Sequence, residues 1–256
     1  MNSLYGTPVT GLQGASFQLD VVANNIANLN TSGFEDVEPL VGSLPAQAEI
    51  GDPNNGIPIA ATTHVGMGVQ PTGTMRSQAQ AAMEATGNPL DLALDGPNYF
   101  TLRQPNGTLV YAKQVSLHLQ PDGQVVSAQS LALYPPVRVP KNVIHLTADA
   151  SGGLIGLTAS GASARVATLA VTTFAAPENL RAEGDGVYTE TLGSGRPLAP
   201  ARGTAQIWSG YQLKSTVDLA TEMTNMIEAE RVYQANTKAL QTMDALVNTA
   251  VSVQPR

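Results

Sequence analysis

The sequence predicts an α+β chain, mainly β, in which long N- and C-terminal helices form a coiled-coil layer and a central all-β domain of many short strands lies between them. Three observations lead there. Leu12, Ala15, Leu19, Val22, Ile26 and Leu29 alternate three and four apart, the spacing of a helical seam. From Ser215 onward there is no glycine, and the only proline is Pro255. Between these ends, short β-rich runs alternate with glycine, proline and asparagine turns. The order divides the chain into an N-terminal assembly helix and motif at 1–35, an extended loop at 36–70, a β-rich domain at 71–210 and a C-terminal assembly helix at 211–256. Apolar seams at both termini point to a chain that assembles with copies of itself or its relatives.

The first helix is expected to start at Thr7 as N-cap with Pro8 as its first helical residue. Gly11 and Gly14 each cost about 1 kcal/mol of helix propensity relative to alanine, so this helix needs a partner to be ordered. Gly33 is placed to stop it in a left-handed conformation. Pro39, Pro45, the run Gly51 to Gly56 and Pro58 punctuate the loop that follows. Strands are expected at Leu90–Leu94, Tyr99–Leu102, Leu109–Ala112, Val115–Leu119, Val125–Val126, Val137–Val139, Ile144–Leu146, Leu154–Thr158, Ala164–Phe174 and Gly186–Thr191. Turns at Pro105-Asn106-Gly107 and Pro121-Asp122-Gly123 separate some of them, and no strand–helix alternation supports a parallel sheet. The last helix should run from about residue 216 to 250, roughly 50 Å at about 1.5 Å per residue. Met226, Tyr233, Leu240 and Val247 recur every seven residues along it, and Ala235, Ala239, Met243, Leu246 and Ala250 form an adjoining stripe. Together they are wider than one seam and have room for more than one neighbour.

Composition narrows the function classes. Net charge is −7 and the 13 basic residues are scattered, which excludes a nucleic-acid footprint and a basic lipid-binding cluster. Charged residues are only 13%, as expected where much of the surface is covered in the working state. No cysteine is present, so there are no disulfides and no thiolate chemistry. No apolar run is long enough to insert in a membrane, and no basic residue precedes Arg76 to start a secretory signal. Export, if the chain works outside the cytoplasm, then uses a route that reads no cleaved signal.

Catalytic, cofactor and metal residues are expected to be none. His64, His118 and His145 lack a ligand at helical or ribbon spacing. Asp91 and Asp95 could be read as an acid–base pair, but Asn88, Pro89 and Gly96 beside them favour turn hydrogen bonding. The glycine-rich segments Gly184-Asp185-Gly186 and Gly193-Ser194-Gly195 lack the lysine and following helix of a phosphate cradle. Asn24, Asn25, Asn28 and Asn30 are poor helix formers gathered at one helix end. They are either local caps or donors to the backbone of neighbouring subunits. Glu222, Glu228, Glu230, Arg231 and Lys238 read as a solvated or subunit-facing polar side.

Three segments carry a family likeness. Ala23 to Glu35 (ANNIANLNTSGFE) resembles the rod motif of the bacterial flagellar axial proteins. Thr86 to Leu102 (TGNPLDLALDGPNYFTL) resembles the start of the β domain shared by rod and hook proteins, and Val217 to Val247 resembles their C-terminal helix. Val65 to Gln80 and the run from Leu169 through Gly210 are similar to the distal-rod branch of that family. Glu35 stands where the family usually has lysine, Pro8 falls in its usually uninterrupted helix, and Pro97-Asn98-Tyr99 and Tyr211 to Ser215 also depart from its pattern. The family resemblance survives these departures.

The resemblance implies a structural subunit of the flagellar basal-body distal rod and not an enzyme. It implies a homo-oligomer, a helical tube that transmits torque from motor to hook, with the terminal helices as an inner layer. Expected partners are neighbouring proximal-rod and hook proteins, the flagellar type III export apparatus and the peptidoglycan and outer-membrane ring bushings. Nucleic acid, direct membrane insertion and cofactors are not expected, and the location is the extracytoplasmic basal body. The residues expected at the subunit interface are Leu12, Leu19, Val22, Asn24, Asn25, Ile26, Asn28, Leu29, Asn30, Met223, Met226, Ile227, Tyr233, Leu240, Met243 and Val247. Two alternatives stay open: a proximal-rod or hook paralogue, and, from another class, a secreted peptidoglycan- or carbohydrate-active β protein.

Overall fold

A computed structural model describes residues 3–45, 47–49, 63–149, 151–159, 161–201 and 205–253. The turn cluster Gly51 to Gly56, Pro58 and Pro255 lie outside them. The chain forms two compact units. One gathers residues 1–27, 37–75 and 218–256, and the other gathers 28–36 and 76–217. Each unit thus gathers segments that are interleaved along the chain.

The helical unit contains α1 (Ser3–Ala27) and α2 (Leu219–Val253). α1 begins before Thr7, so Pro8 lies inside the helix and not at its start. Its missing N–H costs one backbone bond to the preceding turn. Thr10 Oγ1 donates to the Thr7 carbonyl at 2.9 Å in the same turn. α2 starts later than expected because Asp218 caps it. The Asp218 carboxylate accepts from the Ala220 and Thr221 amides at 3.4 and 3.3 Å and from the Thr221 hydroxyl at 2.7 Å. These bonds hold its pKa below the ordinary aspartate value, the Thr221 hydroxyl contributing most.

The segment expected to be an extended loop at 36–70 contains strands. Val37–Ser43 pairs with Val69–Arg76, and Gln47–Glu49 pairs with Thr63–Val65. Its prolines hid the first pair: Pro39 and Pro71 sit in a sheet of only two strands, whose edge positions need no N–H donor. Val41 and Val69 lie against Gly14 of α1, where an added Cβ would come within 3.1 Å of Val69. This second contact face of α1 was not visible as a seam.

The β unit is antiparallel. A ten-stranded sheet is built around Asn98–Arg103, which pairs on one side with Leu109–Ala112. Its other edge is shared: Val171–Thr173 takes the first half and Ala132–Leu133 the second. Alternation along these strands fills both faces. Phe100, Leu102, Val110 and Ala112 enter the main core, while Tyr99 and Tyr111 turn to a second cluster with Phe174, Leu180 and Tyr188. Within that cluster the Tyr99–Phe174 and Tyr111–Phe174 rings meet edge to face at 5.8 and 4.8 Å. A separate sheet joins Val143–Ala148, Gly153–Thr158 and Ser163–Thr168.

Two expected strands changed form. Ala164–Phe174 is split, because the Leu169 amide turns to the Gly152 carbonyl at 2.7 Å and Val171–Thr173 joins a different sheet. Val137–Val139 keeps buried valines but forms only a bridge, Gln124 to Arg138, since Pro135, Pro136 and Pro140 flank it without donors. The C-terminal segment 211–256, whose helix was expected from about residue 216, opens with the strand Tyr211–Leu213, paired with Met83–Ala85.

Candidate assembly interface

In the helical unit α1 and α2 run antiparallel. Tyr5 lies beside Asp244, Gly11 faces Asn236 and Asn25 bonds Glu222, so progress along α1 is matched by retreat along α2. At Gly11 an added Cβ would meet the Asn236 amide at 2.7 Å, which makes glycine the residue of close approach despite its helix cost. α2 continues past Asp244 to Val253, beyond the level of Tyr5.

The expected interface residues sort into three groups. Leu12, Leu19 and Ile26 are half-buried and Val22 is buried on α1, and Met226, Leu240, Met243 and Val247 are half-buried on α2. These line faces already used inside the chain. On α2 the inward face reads Glu222, Met226, Ala229, Asn236, Leu240, Met243 and Val247, spaced four and three with one gap of seven. A second group stays open: Met223 is 53% exposed, Ile227 49% and Tyr233 42%, and Leu219 at 42% extends the Met223–Ile227 stripe one turn toward the N-terminus. Val9 on α1 and Val232 and Leu246 on α2 are exposed as well, and the sequence pattern had not singled out Val9 or Val232. The third group, Asn28, Leu29 and Asn30, belongs to the β unit, so the seam expected to reach Leu29 stops at the end of α1.

The asparagines divide similarly. Asn24 and Asn30 are exposed. Asn28 caps a turn, its side-chain oxygen accepting from the Thr31 hydroxyl at 3.1 Å and its carbonyl from the Thr31 amide at 3.0 Å. Asn25 was expected to face a neighbouring subunit but is 1% exposed and engaged within its own chain. Its amide nitrogen donates to the Val37 carbonyl at 2.9 Å and its oxygen accepts from the Val37 amide at 3.2 Å. The same nitrogen donates to Glu222 Oε2 at 3.3 Å. Glu222, expected on the solvated polar side, is 4% exposed and also accepts from Asn225 at 3.3 Å. A primary amide offers the donor–acceptor pair that a strand edge requires, so one side chain ties α1, the strand at Val37 and α2 together.

Asp91 and Asp95 both take part in local turn hydrogen bonds. Asp91 is buried and accepts from the Thr86 hydroxyl at 2.6 Å and from Asn88 at 3.0 Å. Asp95 accepts from Asn98 through its carbonyl at 2.9 Å. Among the described residues no group of three or more His, Cys, Asp or Glu could hold a metal ion, and no helix is long and apolar enough to cross a membrane.

An antiparallel terminal helix pair with an open apolar stripe, joined to an antiparallel β unit, is the architecture of a structural building block. Family comparison agrees. The model described as flagella basal body rod protein matches residues 7–34, the flagellar hook protein FlgE/F/G D1 domain matches 93–155, and the flagellar basal body rod FlgEFG protein C-terminal domain matches 209–253. The chain thus carries the matched domains of flagellar basal-body rod proteins in order from end to end. Among its relatives, flagellar basal-body rod protein FlgG of Bacillus subtilis is 29% identical over 265 residues, covering 99% of both chains. FlgG of Buchnera aphidicola from Schizaphis graminum is 28% identical over 246 residues, covering 93% of this chain and 94% of the relative. Flagellar basal-body rod protein FlgF of Caulobacter vibrioides is 29% identical over 238 residues, covering 91% and 90%.

Proposed function

We propose that this chain is a structural subunit of the distal part of the flagellar basal-body rod, self-assembling into a tube that carries torque from motor to hook. End-to-end similarity to proteins named FlgG supports the distal position. The observation that carries self-assembly is the stripe of Leu219, Met223 and Ile227, exposed on one face of α2 while the inward face is occupied by α1. Apolar side chains in such a row are stabilised when a partner removes them from water, at about 25 cal/mol per Å². In the tube the paired helices form a coiled-coil layer with those of neighbouring copies. The neighbours in that tube are further copies of the chain, with proximal-rod and hook proteins at its ends. Delivery is through the flagellar type III export apparatus to the extracytoplasmic basal body and its peptidoglycan and outer-membrane bushings.

The test is a double substitution, Met223→Asp with Ile227→Asp. The purified monomer should keep the wild-type circular dichroism, because both side chains are exposed. Cells carrying it should build basal bodies that lack the distal rod in electron micrographs. Wild-type rods from this variant would refute assembly through the stripe.

A further inference from the structure

Within the β unit the segment Asn28–Asp36 is stapled by a knot of backbone and side-chain bonds. The Gly33 amide donates to the Leu213 carbonyl at 2.8 Å and the Thr216 amide to the Phe34 carbonyl at 3.0 Å. The Asp36 amide donates to Thr216 Oγ1 at 2.7 Å, and the Ser77 amide donates to the Asp36 carbonyl at 2.8 Å. Gly33 has φ +71°, and a Cβ there would collide with the Gln114 side chain at 2.8 Å. Three of the four chain crossings at the boundary of the β unit, after Asp36, before Arg76 and after Val217, are therefore tied together.

Glu35 lies beneath this knot and is 7% exposed. Its Oε1 pairs with Lys113 Nζ and its Oε2 lies 3.8 Å from Arg76 Nε. Arg76 also donates to the Leu180 carbonyl and, at 3.4 Å, to the Glu178 carbonyl, and its guanidinium stands 4.5 Å from the centre of the Tyr188 ring. Lys113 stands 5.5 Å from the Tyr99 ring, and after burial the Glu35 charge raises the pKa of the Tyr188 hydroxyl. Two cations, Arg76 at a strand end and Lys113 at the bend between two strands, are thus drawn onto one carboxylate among aromatic rings. Removing that carboxylate leaves both without their counter-charge in a poorly hydrated place.

We propose that Glu35, held between Lys113 and Arg76, is a buried charge clamp that fixes the Asn28–Asp36 segment on the β unit and so sets the point from which the chain leaves it. The clamp needs opposite charges at 35 and 113, so lysine at position 35 would set three cations together. This property belongs to the free subunit and is independent of the assembly reading.

The experiment is amide hydrogen exchange on the full-length monomer, comparing Gly33, Asp36, Ser77 and Thr216 with the sheet amides of Leu102 and Val110. Glu35→Lys should speed exchange in the knot by about 10-fold or more and leave the sheet amides unchanged, since the knot opens locally. The reciprocal exchange, Glu35→Lys with Lys113→Glu, should slow it back toward wild type. Unchanged knot amides in Glu35→Lys, or no recovery in the reciprocal variant, would overturn the clamp. If Glu35→Lys does not fold, Glu35→Gln and Lys113→Met are read the same way: selective loosening of the knot supports the clamp, and its absence refutes it.

Discussion

Asn25 shows how much one polar side chain can organise. It is a poor helix former at the end of a marginal helix, yet it satisfies both backbone groups of Val37 and one oxygen of Glu222. Replacement by alanine would leave these groups buried and unpaired, at about 1–3 kcal/mol for each that water cannot reach. Asn25→Ala should therefore lower stability by about 2 kcal/mol or more, measured by urea denaturation, whereas Asn24→Ala at the exposed neighbouring position should shift it little. Equal effects at the two positions would remove Asn25 from its organising role.

At the scale of elements, each helix is completed by something outside its own apolar pattern. α1 carries Pro8, Gly11 and Gly14 and is held between α2 and the strands at Val41 and Val69. α2 depends on Asp218 at its start. Asp218→Ala should fray the first turn, seen as faster exchange at Ala220 and Thr221, with asparagine retaining most of the cap. The pKa of Asp218 is depressed in the folded chain, so its contribution is present above the unfolded aspartate value of about 3.9. That contribution is lost as pH falls through the lower folded value. An acid titration of those two amides should show the loss in wild type and not in Asp218→Asn.

At the scale of the whole molecule, the aromatic cluster of the β unit sets an alkaline limit. Burial first, and the Glu35 carboxylate next, push the Tyr99 and Tyr188 hydroxyls well above their ordinary pKa. Burial first and then Glu190 push Tyr111 up to about 12. A raised folded pKa means that the folded state keeps protons the unfolded chain releases. The stabilisation is full below about pH 10 and is lost as pH rises through the folded values. Each tyrosine held protonated should lower stability by about 1.4 kcal/mol per pH unit in that window. Denaturation followed from neutral to strongly alkaline pH should show this fall, and Tyr99→Phe with Tyr188→Phe should flatten it. A wild-type slope unchanged in that double variant would exclude these tyrosines as its source.

The amino-acid sequence by itself determined what depends on local order: the two terminal helices where apolar spacing was three and four, and most of the strands where short apolar runs met turn residues. It also carried the rod-family motifs, which local order preserves. Tertiary structure decided what depends on partners distant in the chain. The strand at Val37–Ser43 exists through its pairing with Val69–Arg76 and its bond to Asn25, and neither is visible in its own proline-bearing sequence. Glu222 and Glu35 look like surface charges in a linear reading, yet both are buried, because asparagine, lysine and arginine side chains reach them from other segments. The same holds for the candidate interface: periodicity found the apolar residues of α2, but only the seating of α1 divides them into a face already used and a stripe still open. A helix pattern states which residues share a face, and burial of that face is a property of what packs against it.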